Sequence, residues 1–189
     1  MAIILASASP RRKQLLDQIG CSYTVKVSTI IEDNTANRPP AELAIANAAA
    51  KARDVAAQCN DSDIIIGADT IVVLEGQVFG KPADDQDARR MLSQLSGRVH
   101  QVISGVAIVA GNRVYSDSQM TLVRFRSLEQ AEIERYIATG EPMDKAGAYA
   151  VQGIGTLLVE SIQGCYNNIV GLPLVALNRL MMKAGVRLL

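Results

Sequence analysis

The run Asp63-Ile64-Ile65-Ile66-Gly67-Ala68-Asp69-Thr70-Ile71-Val72-Val73-Leu74 decides the fold. Its β-branched residues suit a pleated surface better than a helix, and it is the most apolar strand candidate of the chain. Glu75-Gly76 reads as a turn into a further short strand at Val78 and Phe79. Asp69 is the exception within the run. An unpaired carboxylate buried among isoleucines and valines is expensive, so it needs a metal, a cation or a strand end open to solvent. The plainer alternative is a turn aspartate that caps local amides after Gly67. Strict alternation sends Asp69 and Thr70 to opposite faces, so for both to meet one ligand the strand is expected to end or bulge there.

Outward from this strand, helical and extended segments alternate without a repeat. Ile3 to Leu5 reads as a buried strand, followed by a serine-rich turn and a helix from Pro10 to Ile19 that Gly20 ends. Tyr23 to Val27 alternates as a strand, and Pro39-Pro40 leads into an alanine-rich helix reaching about Gln58. Asp84 to Leu95 carries Ala88, Met91, Leu92 and Leu95 on one helical side. Val99 to Val109 and Val114 to Phe125 read as strands joined around Gly111-Asn112. Leu128 to Thr139 forms an amphipathic helix, Thr156 to Ile162 a strand, and a last helix runs from about Pro173 to near Gly185. The mixture predicts an α/β fold.

The chain has 189 residues, 49% of them hydrophobic and 20% charged, which is enough to bury a real core in one domain spanning 1–189. Nineteen basic side chains balance nineteen acidic ones, and aromatics make up 4%, so neither a cationic field nor a set of stacking platforms suits a nucleic-acid polymer. Cys21, Cys59 and Cys165 are odd in number and lack CxxC spacing, which argues for free thiols in a reducing compartment. No apolar stretch approaches the ~18 to 20 residues that cross a bilayer. Basic residues follow the first apolar run instead of preceding it, the wrong order for a secretory signal. The expectation is a cytoplasmic protein without a membrane partner.

Several residues can carry chemistry. Ser9 is placed to cap the first helix and Pro10 to fill its first turn, which leaves exposed amides beside Ser7, Arg11 and Arg12. Cations at the positive end of a helix dipole are unfavourable unless an anion such as phosphate neutralises them. Glu32, Asp33 and Asp69 offer hard oxygen ligands for Mg²⁺ or Mn²⁺, while Lys51 and Lys81 add phosphate cations. His100 fits no Ser-His-Asp or Cys-His arrangement and reads as a hydrogen-bonded structural histidine. Neither a Rossmann GxGxxG nor a Walker A motif occurs.

Six motifs in order then resemble the Maf family of nucleotide pyrophosphatases: Ser7-Ala8-Ser9-Pro10-Arg11-Arg12, Gly67-Ala68-Asp69-Thr70, Gly80-Lys81-Pro82, Ser96-Gly97-Arg98-Val99-His100, the run Gly140-Glu141-Pro142-Met143-Asp144-Lys145 through Gly153, and Val170-Gly171-Leu172-Pro173-Leu174. The resemblance implies an ITPase-like α/β fold with an elongated mixed sheet flanked by helices and a cleft between two lobes. It implies hydrolysis of nucleoside triphosphates to monophosphate and pyrophosphate, a divalent cation, and a homodimer. By position Asp69 matches the family's catalytic carboxylate, and Ser7, Arg12, Glu32, Lys51 and Lys81 match its other polar active-site positions. Arg12, Thr70 and Gln152 match positions that mark the dTTP/UTP branch. The 7-methyl-GTP branch resembles a Gly-Ser-Asp-Gln version of the Asp69 motif, which this chain lacks.

On that resemblance Mg²⁺ or Mn²⁺ is expected on Asp69 and Glu32, with Arg12, Lys51 and Lys81 neutralising the leaving pyrophosphate and Ser7 positioning it. The Gln152 amide can pair with the edge of uracil or thymine. Two alternatives stand beside this reading: a pyrophosphatase for 7-methyl-GTP or another modified nucleotide, and a nucleotide-sensing module that acts on cell division through a partner.

Overall fold

A computed structural model describes residues 1–33 and 38–188. In chain order the elements are β1 (Ile3–Leu5), α1 (Pro10–Gln18), β2 (Thr24–Val25), α2 (Pro40–Ala56), β3 (Ile64–Leu74), β4 (Gln77–Phe79), α3 (Asp85–Leu95), β5 (Val99–Ala110), β6 (Arg113–Phe125), α4 (Gln130–Ala138), β7 (Val159–Gln163), α5 (Tyr166–Val170) and α6 (Leu174–Lys183). Three 3-10 turns, Glu141–Asp144, Ala146–Ala148 and Gly153–Leu158, fill the segment before β7.

The seven strands form one mixed sheet in the order β2-β1-β3-β5-β6-β7, with β4 added to β3. β1 runs parallel to β2 and β3, and the remaining pairs are antiparallel. β5 pairs with β3 without a break from Ile64 to Val73, so β1 and β4 must share the other edge. β1 covers Ile64 to Ile66 of that edge and β4 covers Val72 to Leu74. Between them, among the described residues, positions 67 to 71 have no strand partner there.

The pleat sorts the β3 side chains. Ile65, Ile71 and Val73 face α2, packing with Leu43, Ala44 and Ala52. The helix lies very close to the strands, because a Cβ on Gly67 would sit 2.1 Å from the Ala48 carbonyl oxygen and one on Gly105 2.2 Å from that of Ala44. Two glycines in the sheet and an alanine stripe on the helix make this approach possible.

The opposite face carries two apolar clusters. Ile64, Ile66 and Ala68 join Leu15 and Leu16 of α1 and Leu177, Leu180 and Met181 of α6. Val72 and Leu74 join Phe79, Leu92, Phe125 and Tyr136, under α3 and α4. Thr70 lies on this face between the two clusters, and they form the two lobes expected for the fold.

Three expectations need correction. β3 neither ends nor bulges at Asp69 and Thr70, and the two side chains do point to opposite faces; the gap in its edge, not a kink in its backbone, opens both to one space. The strand expected at Tyr23 to Val27 is only Thr24–Val25, since β1 offers it only Ile4 and Leu5 as partners. The strand expected from Thr156 begins at Val159, because the Glu141 carboxylate accepts from the amides of Ile154 and Gly155 and holds Gly153–Leu158 in a 3-10 turn. α5 was not foreseen; five residues hold little helical tendency of their own, and buried hydrogen bonds of Asn168 fix it.

Candidate active site

A cleft of about 390 Å³ opens at the bare edge of β3, and Ser7, Arg12, Glu32, Lys51, Asp69, Thr70, Lys81 and Gln152 all line it. These expected site residues are therefore in one place, while Asp33, the other candidate ligand, does not line the cleft.

Asp69 is 3% exposed and held from α2. Its Oδ1 accepts from Lys51 Nζ at 2.8 Å and its Oδ2 from Asn47 Nδ2 at 3.0 Å. Asn47 and Lys51 are one helical turn apart on the face that the glycines bring against the sheet, so both reach the same carboxylate. Burial by itself would raise the Asp69 carboxyl; Lys51, Arg12 and the Asn47 amide outweigh it and hold the group below the ordinary carboxylate range. Asp69 is thus an anion at neutral pH.

Lys51 Nζ also donates to Glu32 Oε1 at 2.6 Å and to the Ala68 carbonyl at 3.4 Å, which uses all three of its protons. Lys51 thereby ties two carboxylates and a carbonyl together. Asn47 secures the Glu32 side as well: its Oδ1 accepts from the Asp33 amide and its Nδ2 donates to the Asp33 carbonyl, both at 3.0 Å. Sequence reasoning missed Asn47. The available signal was an amide four residues before Lys51 in an otherwise alanine-rich helix.

Across the β3 edge, Arg12 donates from Nε to the Gly171 carbonyl at 2.8 Å, from Nη1 to Ser7 Oγ at 3.0 Å and from Nη2 to Thr70 Oγ1 at 3.3 Å. All three acceptors are uncharged. Burial lowers the Arg12 pKa, and the nearby Asp69 and Glu32 charges partly restore it. Ser9 caps α1 by accepting from the Arg12 amide at 3.4 Å, with Pro10 in the first turn. Arg11 pairs with Asp144 at 3.4 Å, joining α1 to the far wall.

Thr70 belongs to a buried polar chain. Ser104 Oγ donates to the Asn168 carbonyl at 2.9 Å, so at the 2.8 Å contact between Thr70 Oγ1 and Ser104 Oγ the threonine must be the donor. Its lone pairs are then left for Arg12. Asn168 continues the chain by donating to the Val102 carbonyl and to Thr121 Oγ1, each at 2.9 Å.

The far wall carries Lys81, Asp144, Lys145, Tyr149 and Gln152. Lys81 is exposed at the mouth, next to Gly80. His100 lies behind Tyr149, 2% exposed, with Nε2 2.8 Å from the Tyr149 hydroxyl. Burial lowers its pKa to about 4, so it is neutral near pH 7 and serves as the structural histidine expected.

Among the described residues, Arg11, Arg12, Lys51, Lys81 and Lys145 line the cleft with Glu32, Asp69 and Asp144 against them. A chain with no net charge therefore concentrates positive charge at one opening, which suits a polyanionic ligand. Among the described residues no three acidic, histidine or cysteine side chains gather into a protein-only metal cage. Asp69 and Glu32 nevertheless converge on one ammonium, and a carboxylate pair with phosphate oxygens and water completing the shell is how a hard dication is bound in phosphoryl-transfer sites. The donor set fits such an ion.

The chain is similar in sequence to known proteins. A family model described as "Maf-like protein" matches residues 2–184. A dTTP/UTP pyrophosphatase of Dictyoglomus turgidum is 50% identical over 99% of this chain and 98% of its own length. Proteins of the same description from Halalkalibacterium halodurans and Pyrococcus furiosus are 52% and 46% identical, over 91% and 94% of this chain and 90% and 93% of theirs. Among solved structures, the Staphylococcus aureus Ham1 protein aligns with 84% of this chain and 80% of its own at 15% identity, with a TM-score of 0.46.

Proposed function

Because the chain belongs to the Maf family, we propose that it is a nucleoside triphosphate pyrophosphatase that hydrolyses dTTP and UTP to the monophosphate and pyrophosphate. The observation that carries this reading is Asp69, an ionised carboxylate buried against Lys51 in a cleft that Arg12 and Lys81 also line. Relatives about half identical over nearly their whole length bear the name of that activity.

In this reading a water oxygen attacks the α-phosphorus in line, the bond from that phosphorus to the α–β bridging oxygen breaks, pyrophosphate leaves, and the water's proton passes to solvent. Arg12 and Lys81 neutralise the departing charge, and Ser7 with the amides of the capped α1 terminus orients it. Asp69 and Glu32 would hold Mg²⁺ or Mn²⁺, which when bound supplies charge neutralisation and an acidified water. A carboxyl held below its ordinary value is a poor proton acceptor near pH 7, so Asp69 orients the water and does not act as an efficient general base. Lys51 keeps the two carboxylates together although both are negative. Gln152 offers a donor and an acceptor to the uracil or thymine edge, and its amide makes no protein hydrogen bond among the described residues.

We place the enzyme in the cytoplasm, consistent with three free cysteines, and read the chain as one domain assembling into a homodimer without nucleic-acid or membrane partners. No helix among the described residues is long and apolar enough to cross a membrane. The test is a panel of nucleoside triphosphates, 7-methyl-GTP included, with Mg²⁺ or Mn²⁺, scored by pyrophosphate release. The highest kcat/KM is expected for dTTP and UTP. Absence of pyrophosphate from both would overturn the proposal.

A further inference from the structure

Glu141 lies outside the cleft, but its carboxylate controls the backbone on both sides of Gln152. Oε1 accepts from the Tyr136 hydroxyl and from the Gly155 amide, each at 2.9 Å, and Oε2 accepts from the Ile154 amide at 3.1 Å. The same Tyr136 oxygen accepts from the Ala150 amide at 3.2 Å. The amide two residues before Gln152 and those two and three residues after it therefore hang on one carboxylate–phenol pair. Between them, a Cβ on Gly153 would lie 2.6 Å from Oε2, so the carboxylate rests directly against the peptide that follows Gln152. Gly153 has φ of 67°, a conformation glycine takes without strain.

Burial by itself would raise the Glu141 carboxyl; the Gly155 and Ile154 amides and the Tyr136 hydroxyl outweigh it and hold the group below its ordinary value. A full anion with both oxygens engaged is a rigid anchor. Gln152 needs such an anchor, because a side-chain amide reads a base edge only if its backbone is fixed, and three side-chain torsions already lie between backbone and reader.

We propose that Glu141 is a specificity-positioning residue, whose carboxylate fixes the Ala150 to Gly155 backbone so that the Gln152 amide meets a uracil or thymine edge in one orientation and rejects cytosine. The inference rests on Gln152 being the base reader. In Glu141→Gln one oxygen becomes an NH₂ group facing an N–H or O–H donor, so one contact is lost and the loop loosens without loss of volume.

The experiment compares kcat/KM for UTP and CTP in the wild type, E141Q, Y136F and Q152A. E141Q is expected to reduce the UTP:CTP ratio about tenfold, roughly the discrimination that one correctly placed hydrogen bond supplies, through a higher KM for UTP with kcat within about threefold. Y136F removes one of the carboxylate's three donors and the acceptor of the Ala150 amide while keeping the charge, so a shift in the same direction is expected, and it supplies the readout should E141Q not fold. A Q152A ratio equal to that of the wild type would show that Gln152 does not read the base, and the inference falls with that reading. A Q152A ratio that collapses while E141Q and Y136F keep the wild-type ratio overturns the role of Glu141 alone. So does a fall in kcat equal for both nucleotides, or failure of both variants to fold, since either is what a purely structural residue would give.

Discussion

Thr70 and Ser104 are register partners on adjacent strands, and their hydroxyls meet at 2.8 Å with the threonine as donor. That direction leaves the Thr70 oxygen as an acceptor for Arg12, so a serine that is not among the cleft-lining residues determines how the cleft's guanidinium is held.

Ser104→Ala is expected to leave the Thr70 hydroxyl proton without an acceptor and to take one of two donors from the Asn168 carbonyl, which keeps the Gly171 amide, at a cost of about 1–3 kcal/mol in stability. The freed threonine hydroxyl can then rotate and turn its proton towards Arg12. A fall in kcat/KM of about three- to tenfold, mostly in KM, is the expected consequence. Denaturant unfolding and steady-state kinetics check the two parts separately.

Asp69→Asn removes the anion while nearly preserving shape. Turnover should fall at least about a thousandfold, the scale of losing a principal electrostatic group of an active site. Circular dichroism should remain native. Wild-type pyrophosphate release from dTTP would refute the assignment.

Asn47→Ala takes a donor from Asp69 and both backbone contacts from Asp33. The stability cost is expected near 1–3 kcal/mol. Because Glu32 and Asp69 lose their common reference, the concentration of Mn²⁺ needed for half-maximal activity should rise severalfold, and Mn²⁺ binding measured by electron paramagnetic resonance should weaken in step. Unchanged Mn²⁺ binding would limit Asn47 to a structural part.

His100 makes stability depend on pH over a definite window. Its folded pKa, about 4, lies below the ordinary value of 6.5, so the unfolded chain binds the proton first as pH falls. Stability from the neutral buried ring is fully present above 6.5 and is lost progressively as pH drops towards about 4, below which the folded ring also protonates. Each unit of difference corresponds to about 1.4 kcal/mol, so the loss across the window is on the order of 3 kcal/mol. His100→Leu should be less stable at pH 7 but show a flatter profile between pH 6.5 and 4.5 in urea unfolding. An equally steep profile would assign the acid sensitivity elsewhere.

The strand at Ile64–Leu74, the capped helix at Pro10–Gln18 and the hairpin of β5 and β6 are legible in the residues, because burial, capping and turn chemistry are local signals. The shared location of Ser7, Asp69 and Gln152 is legible only through the family's motifs, since nothing local relates positions so distant in sequence. Asn47 is illegible because its role depends on how closely α2 approaches the sheet, which Gly67 and Gly105 set from other elements. The Glu141 cap is hidden for a similar reason: an acidic residue at the start of a turn reads as solvated, and only the fold places two amides and a phenol around it. The gap between β1 and β4 is a property of strand register, and alternation along β3 says nothing about where its neighbours stop.

That gap has a bearing on solubility. A stretch of unpaired backbone is ordinarily a template on which another chain can add a strand. Here it is confined to five positions, closed at one end by β1 and at the other by β4, and flanked by side chains of both charges. An invading segment would have to enter a slot closed at both ends and break the contacts that Arg12, Lys51 and Asp69 make with the protein to do so. The doorway kept for a nucleotide is thus also guarded against polymerisation.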